Sequence, residues 1–235
     1  LSLCPTSRLR DEFLKDLYSG VSQKWFELAV SSGLFVELFP IYRDNLFDTL
    51  PDGTLCRERL EATFKTIDRL NIEAINSGIH RQPEHFLLSF ILIPWAISSL
   101  DLFNLNLKGS GLFHFSKKLR KQINETIGAQ LNLKRSTRQE ITTLLAHLPM
   151  TSAHMTNGPL PKWLKRKSYF KKCKLLYFYL REATDNIEVP ASTTGEDRTD
   201  SLKSDKKRGR RGRSRRKGRP AFSSTKRGGI FGFKK

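Results

Sequence analysis

The spacing of apolar residues between positions 8 and 40 constrains the fold more than any other feature of the sequence. Apolar side chains recur there every three or four residues, which is the period of one face of an α-helix. They are Leu9, Phe13, Leu14, Leu17 and Tyr18 in a first segment, and Trp25, Phe26, Leu28 and Ala29 in a second. Ser7 is a suitable N-cap, and Gly20 and Gly33 stand where helix ends belong. The stretch predicts two amphipathic helices and a short apolar segment that ends at Pro40.

The helical period continues through the middle of the chain. A long helix is expected from about residue 54 to residue 78, and an apolar helix from residue 84 to residue 99, which Pro94 should kink or end. The apolar run from Phe86 to Leu100 has 15 residues, which is too short for a bilayer span. A buried core helix is therefore expected, in a soluble protein with no membrane partner.

The second half of the chain predicts three more helices. A basic helix spans residues 113–127, and a capping box at Ser136 or Thr137 begins a helix that ends at Pro149. A loop follows, and a last helix runs from residue 161 to residue 183. The predicted buried stripe of that last helix is Trp163, Phe170, Cys173, Tyr177 and Leu180. No alternation of period two indicates a strand, so residues 1–184 are predicted to form an all-α body of about seven or eight helices.

Positive charge is concentrated at the C-terminal end of the sequence. The net charge is +19, and residues 203–235 contribute +14 of it, from 15 Lys or Arg and one acid, Asp205. The composition of residues 185–235 cannot bury enough apolar surface to offset the entropy of ordering, so a disordered tail is predicted. This asymmetry indicates a polyanionic partner, most often nucleic acid, with an anionic membrane surface as the second choice. Three widely separated cysteines indicate a reducing, cytoplasmic location and no zinc site.

Two regions carry the predicted nucleic-acid contacts. Residues 162–174 contain seven Lys or Arg and no acid, and Arg/Gly alternation in the tail provides flexible phosphate-binding groups. Contacts to about eight phosphates of a single strand would give a log–log salt slope near −6. A solvated helix face and a solubilising tail are the alternatives. The predicted contact residues are Arg135, Arg138, Lys162, Lys165, Arg166, Lys167, Lys171, Lys172 and Lys174 in the body, and Lys206, Lys207, Arg208, Arg210, Arg211, Arg213, Arg215, Arg216, Lys217 and Arg219 in the tail.

Two sets of residues resemble bacterial poly(A) polymerase I, a class II nucleotidyltransferase. The first set is similar to the segment that follows the catalytic head in that family, and residues 1–50 correspond to it: Arg8, Leu9, Glu12, Leu14, Lys15, Leu17, Leu34, Phe35, Leu38, Phe39 and Pro40. The second is similar to the last helical part: Arg135, Arg138, Leu144, Leu145, Pro149, Leu175, Leu176, Leu180 and Arg181. The arginine-rich tail follows in the same place.

The resemblance implies an RNA-binding C-terminal part of an enzyme that adds adenylates from ATP to RNA 3′ ends. This part would guide and hold single-stranded RNA without reading its sequence, and Arg8, Arg10 and Lys15 are the candidate contacts in its first segment. RNA helicases and RNA-decay proteins are the implied protein partners. The alternatives are the body of a CCA-adding tRNA nucleotidyltransferase and a free-standing basic nucleic-acid-binding adaptor.

The acids that nucleotidyl transfer requires are missing from the sequence. In this superfamily two carboxylates at positions i and i+2 of a strand hold two Mg²⁺ ions, because residues at that spacing point to one side. Nowhere in the 235 residues do two acids have that spacing. No catalytic residue and no metal ligand is therefore assigned, and ATP and Mg²⁺ are expected in an absent catalytic head. The chain begins with Leu1 and not Met, so a fragment or a processed product is expected, and the resemblance places the head before Leu1.

Overall fold

A computed structural model describes residues 4–104, 109–156 and 160–185, which all lie within one compact unit. The α-helices are α1 (Thr6–Leu17), α2 (Ser22–Ser31), α3 (Leu34–Leu38), α4 (Cys56–Asn76), α5 (Glu84–Leu100), α6 (Ser110–Glu125), α7 (Ile127–Gln130), α8 (Arg135–Thr156), α9 (Lys162–Lys165) and α10 (Phe170–Asp185). Among them, seven have ten or more residues. The described residues contain no strand, only an isolated bridge between Thr49 and Leu55. The predicted all-α body is confirmed.

Helix α5 lies at the centre of the fold. Its residues 86–96 are all buried, and α4, α8 and α10 pack against it. A helix that is apolar on every side can be stable in water only if neighbours cover all of it. In the part of the chain that the structure describes, no helix combines the length and the apolar character needed to cross a membrane.

Pro94 does not end α5, which continues for six residues to Leu100, close to the predicted end at residue 99. Of the two outcomes predicted for this proline, a kink or an end, the end is excluded. The hydroxyl of Tyr42, a fully buried residue, donates a hydrogen bond to the carbonyl of Ile91 and accepts one from the N–H of Trp95 at 3.2 Å. The phenol thus bridges the helix beside the proline, where backbone bonding is weakest. Burial raises the pKa of Tyr42 well above its usual value, so the bridging phenol stays protonated.

Two polar side chains of α4 organise the turn between α1 and α2. The buried carboxylate of Asp68 accepts hydrogen bonds from the N–H and the hydroxyl of Ser22, both at 2.6 Å, and from the N–H of Gln23 at 2.9 Å. The amide of Asn71 donates to the carbonyl of Leu17 at 2.8 Å. One helix therefore caps the end of α1 and the start of α2, where backbone groups lack partners within their own helices.

The apolar faces predicted between residues 8 and 40 pack into the core, where aromatic rings cluster. Leu28, predicted on the second of these faces, is instead 70% exposed. The ring centroids of Phe26 and Phe64 lie 4.8 Å apart, those of Phe26 and Phe35 4.9 Å, and those of Phe13 and Phe39 5.3 Å. Gly33 follows α2 in the left-handed region with φ at 75°, as its predicted role requires. Ser7, however, is the second residue of α1 and Pro5 is the N-cap, so the predicted serine cap is wrong.

Helix α8 is longer than its sequence predicted. It begins at Arg135, so Ser136 lies inside it, and it runs through Pro149 to Thr156. The predicted stop at Pro149 and the loop predicted over residues 150–156 are therefore wrong. Leu148, Pro149 and Thr151 are all buried. Packing of this face outweighs the local cost of a missing N–H.

The single last helix predicted from residue 161 to residue 183 is divided in two. Residues 166–169 form a turn between α9 and α10, so residues before and after it no longer share a helical face. Phe170, Cys173 and Leu180 are buried as predicted, but Tyr177 is only half-buried and Trp163 is 49% exposed. Residues 186–235 lie outside the described residues, so the disorder of the tail stays a prediction.

Replacing Tyr42 by Phe removes the bridging hydroxyl and leaves the ring in place. Because the Ile91 carbonyl and the Trp95 N–H are buried, we expect the free energy of unfolding to fall by about 1–3 kcal/mol. Urea denaturation of Tyr42→Phe against the unchanged chain measures it. The matched control is Tyr177→Phe, whose hydroxyl lies 3.4 Å from that of Thr156 at an exposed position and should matter little. If Tyr42→Phe and Tyr177→Phe lose the same free energy of unfolding, the Tyr42 hydroxyl does not stabilise the helix by bridging Ile91 and Trp95.

Candidate nucleic-acid interface

Four of the predicted contact residues form one exposed basic segment. Lys162 and Lys165 lie on α9, and Arg166 and Lys167 lie in the turn that follows it. All four are exposed, and none forms an ion pair within the described ranges. We refer to residues 162–167 as the basic segment. Its own anchor is Leu164, which is fully buried between these charges.

The turn at residues 166–169, in which the basic segment ends, is held against α8 by a ring stack. The imidazole of His147 on α8 lies parallel to the ring of Tyr169, with centroids 3.8 Å apart and an interplanar angle of 2°. Nδ1 of His147 is buried without a hydrogen-bond partner. Burial lowers the pKa of His147, and the positive charge of Lys167 lowers it further. A neutral imidazole therefore positions the turn that carries Arg166 and Lys167.

The three predicted contact residues on α10 have different surroundings. Lys172 donates to Glu140 at 2.8 Å, and its ammonium lies 3.2 Å from Nε2 of His85. The bond from Lys172 lowers the pKa of Glu140, while burial and then the charge of Lys172 lower the pKa of His85. Lys174 lies over the ring of Phe178, with the ammonium 5.7 Å from the centroid, and Lys171 is exposed. Lys172 thus ties α10 to α5 and α8.

Arg135 and Arg138 lie in the first turn of α8. Arg135 is exposed, whereas Arg138 is half-buried, and its Nε is buried without a hydrogen-bond partner. Its side chain runs against Gly128, where an added Cβ would lie 2.8 Å from Cδ of Arg138. Since Glu140 is on the same helix, its bond with Lys172 brings the start of α8 to α10. The basic segment instead meets α8 further along, at His147.

Two of the three basic residues of the first helix, Arg10 and Lys15, have partners within the fold. Arg10 donates to Asp11 and, at 3.2 Å, to the carbonyl of Asn132, which links α1 to the connection between α7 and α8. Lys15 pairs with Glu12 at 2.8 Å. Arg8 is exposed. The ten predicted tail residues, Lys206 to Arg219, fall in the part of the chain that the structure does not describe.

One basic surface was recognised in the sequence as a helix face but not as a site. Lys117, Lys118, Arg120 and Lys121 are all exposed on α6, whose opposite side is buried through Phe115, Leu119 and Ile123. The sequence pattern that could have identified this surface is four basic residues within five positions, opposite an apolar stripe. Within residues 4–104, 109–156 and 160–185, no three His, Cys, Asp or Glu side chains come together as a candidate metal site.

An all-α body with exposed basic surfaces is a class of protein that can bind a polyanion such as nucleic acid. Comparison with known families makes this more specific. Residues 1–46 match the family model described as the probable RNA and SrmB-binding site of polymerase A. These residues comprise α1, α2, α3 and the 3₁₀ turn Pro40–Tyr42. The match supports RNA binding in a poly(A) polymerase-related region. No curated protein and no solved structure matches the chain.

The lowered pKa of His147 predicts that stability falls in mild acid. Below about pH 6.5 the unfolded chain binds a proton that the folded chain holds less tightly, so the free energy of unfolding falls as pH falls through that value. Above it, the contribution is fully present. We expect His147→Phe, which keeps a ring on Tyr169 and removes the titrating group, to flatten this dependence.

Urea denaturation above and below about pH 6.5 measures the effect. His85 contributes with the same sign, so part of the dependence should remain. The matched control is His80→Phe, which makes the same exchange at an exposed position. If the free energy of unfolding of His147→Phe depends on pH as strongly as that of the unchanged chain, the stacked imidazole is not the titrating group.

Proposed function

We propose that this chain is the RNA-binding part of a poly(A) polymerase, which holds single-stranded RNA near its 3′ end without reading the sequence. The observation that carries the proposal is the match of residues 1–46 to the RNA-binding site of polymerase A. The ordered resemblance of residues 135–181 and the basic tail to the last part of the same family supports extending it over the rest of the chain.

The charges of the body support a role in holding the RNA backbone. The four cations of the basic segment are exposed, whereas Lys15 and Lys172 are engaged in ion pairs within the fold. Cations without a carboxylate partner can neutralise phosphates at no cost in lost ion pairs. Contacts of this kind are sequence-independent, because every nucleotide presents the same phosphate. The basic segment and the tail are therefore the proposed backbone contacts.

The proposal assigns the chemical step to another part of the enzyme. Since no two acids of the 235 residues stand at positions i and i+2, the carboxylate pair for two Mg²⁺ ions has to come from a catalytic head outside this sequence. ATP and Mg²⁺ belong to that head in this proposal. RNA helicases and RNA-decay proteins are the proposed protein partners, in keeping with the SrmB-binding description of the matched family.

Neutralising the basic segment should weaken RNA binding. In the variant Lys162→Gln/Lys165→Gln/Arg166→Gln/Lys167→Gln, we expect lower affinity for single-stranded RNA and a log–log salt slope flatter by up to about 3, at roughly 0.7 per phosphate contact. Fluorescence anisotropy of a labelled oligonucleotide across a salt series measures both. The matched control neutralises Lys117, Lys118, Arg120 and Lys121, which removes the same charge from α6. If the two variants weaken binding equally, only the net charge matters and the basic segment is not a specific contact.

The tail should provide most of the salt dependence. Deleting residues 203–235 removes 15 Lys or Arg. We expect the affinity for RNA to fall, and the log–log salt slope to become less negative by about 6 if the tail contacts about eight phosphates. The same anisotropy measurement over the same salt series tests it. A slope that does not change after the deletion would show that the tail is not an RNA contact.

A further inference from the structure

Trp163 is a large aromatic side chain exposed within the basic segment. It lies on α9, where the neighbouring Leu164 is fully buried while 49% of Trp163 remains accessible. Of the other two tryptophans of the chain, Trp95 is buried, and Trp25 is half-buried and packs against Phe13 with ring centroids 5.1 Å apart. Trp163 is thus the most exposed of the three.

One neighbouring ring holds the indole in place. His154, near the end of α8, contacts Trp163 edge to face, with centroids 5.9 Å apart and an interplanar angle of 82°. Such a contact restrains the orientation of a ring and is typical of aromatic pairs. It covers only part of the indole, so a flat group can still stack on the ring. The contact with His154 therefore fixes the orientation of the Trp163 ring and leaves one part of it accessible.

The charges around Trp163 favour one kind of ligand. Lys162 and Lys165 flank it on α9, Arg166 follows, and residues 162–174 contain no acid. An exposed aromatic ring between cations is the arrangement that binds single-stranded nucleic acid, because a base stacks on the ring while adjacent phosphates meet the charges. These residues therefore contribute no negative charge that would repel a phosphate.

We propose that Trp163 stacks on one base of a bound single-stranded RNA, with Lys162, Lys165 and Arg166 contacting the phosphates on either side. This subsite rests on the proposed RNA-binding function. It selects single strands, because a base in a duplex is already stacked on its neighbours. It does not select sequence, because every base has a flat face.

The test measures the full chain and three variants on two RNAs of equal length. One RNA is a labelled oligoadenylate, and the other is an abasic ribose–phosphate strand that has the same charge and no bases. The variants are Trp163→Ala, Trp163→Phe and the matched control Phe113→Ala, which removes a 67% exposed ring on α6. Anisotropy is measured at low and at raised salt, since raised salt weakens the contacts of the tail and leaves stacking largely intact.

We expect Trp163→Ala to lose about tenfold in affinity for oligoadenylate, at both salt concentrations, and nothing for the abasic strand. Trp163→Phe should lose less, and Phe113→Ala should bind as the unchanged chain does. Tryptophan emission of the unchanged chain should fall when oligoadenylate binds, and Trp163→Phe should lack this change. Thermal unfolding of each variant establishes that it is folded.

The possible results separate the subsite from the function. Equal affinity of Trp163→Ala and the unchanged chain for oligoadenylate overturns the stacking proposal while RNA binding stands. An equal loss on the two RNAs also overturns it, because the effect would then not involve a base. If the unchanged chain binds neither RNA, the proposed function itself fails.

Discussion

The burial of residues 86–96 of α5 on every side is the constraint on which the rest of the structure depends. These residues have no accessible side, so α4, α8 and α10 have to lie around α5. The helix contains a proline that would weaken it in isolation. The Tyr42 hydroxyl bridges Ile91 and Trp95 at that point, and Tyr42 comes from the segment that directly follows α3. The central helix and the first helices of the chain therefore support each other.

The region that matches the family model is held against the rest of the body by polar groups as well as by aromatic packing. Asp68 and Asn71 of α4 satisfy the backbone at the junction of α1 and α2, and Arg10 reaches the carbonyl of Asn132. These contacts use polar side chains to hold helix ends. Residues 4–46 consequently form part of the same core as the helices that follow them. The basic residues of this region are partly engaged in the same way, as Lys15 is with Glu12.

The second half of the chain also contains both paired and exposed charges. The charge of Lys172 joins α10 to Glu140 and His85, and the side chain of Arg138 packs on Gly128. Lys162, Lys165, Arg166 and Lys167 project from a short helix and a turn that Leu164 and the His147–Tyr169 stack hold in place. A short anchored element that carries exposed cations and an exposed indole can present both charges and a stacking face to a flexible strand.

The sequence by itself determined the helical class, the amphipathic faces between residues 8 and 40, the buried helix α5 and the concentration of basic residues in 162–174. These properties follow from local periodicity and composition, which do not require knowledge of neighbours. Only the tertiary structure decided that α8 continues past Pro149, because the buried packing of Leu148, Pro149 and Thr151 offsets the local cost of the proline. It also decided that residues 166–169 turn and expose Trp163, which a continuous helical stripe had placed in the core. That Lys172 binds Glu140 depends on the packing of α10 against α8, two helices that are separate in the chain, and periodicity carries no information about that.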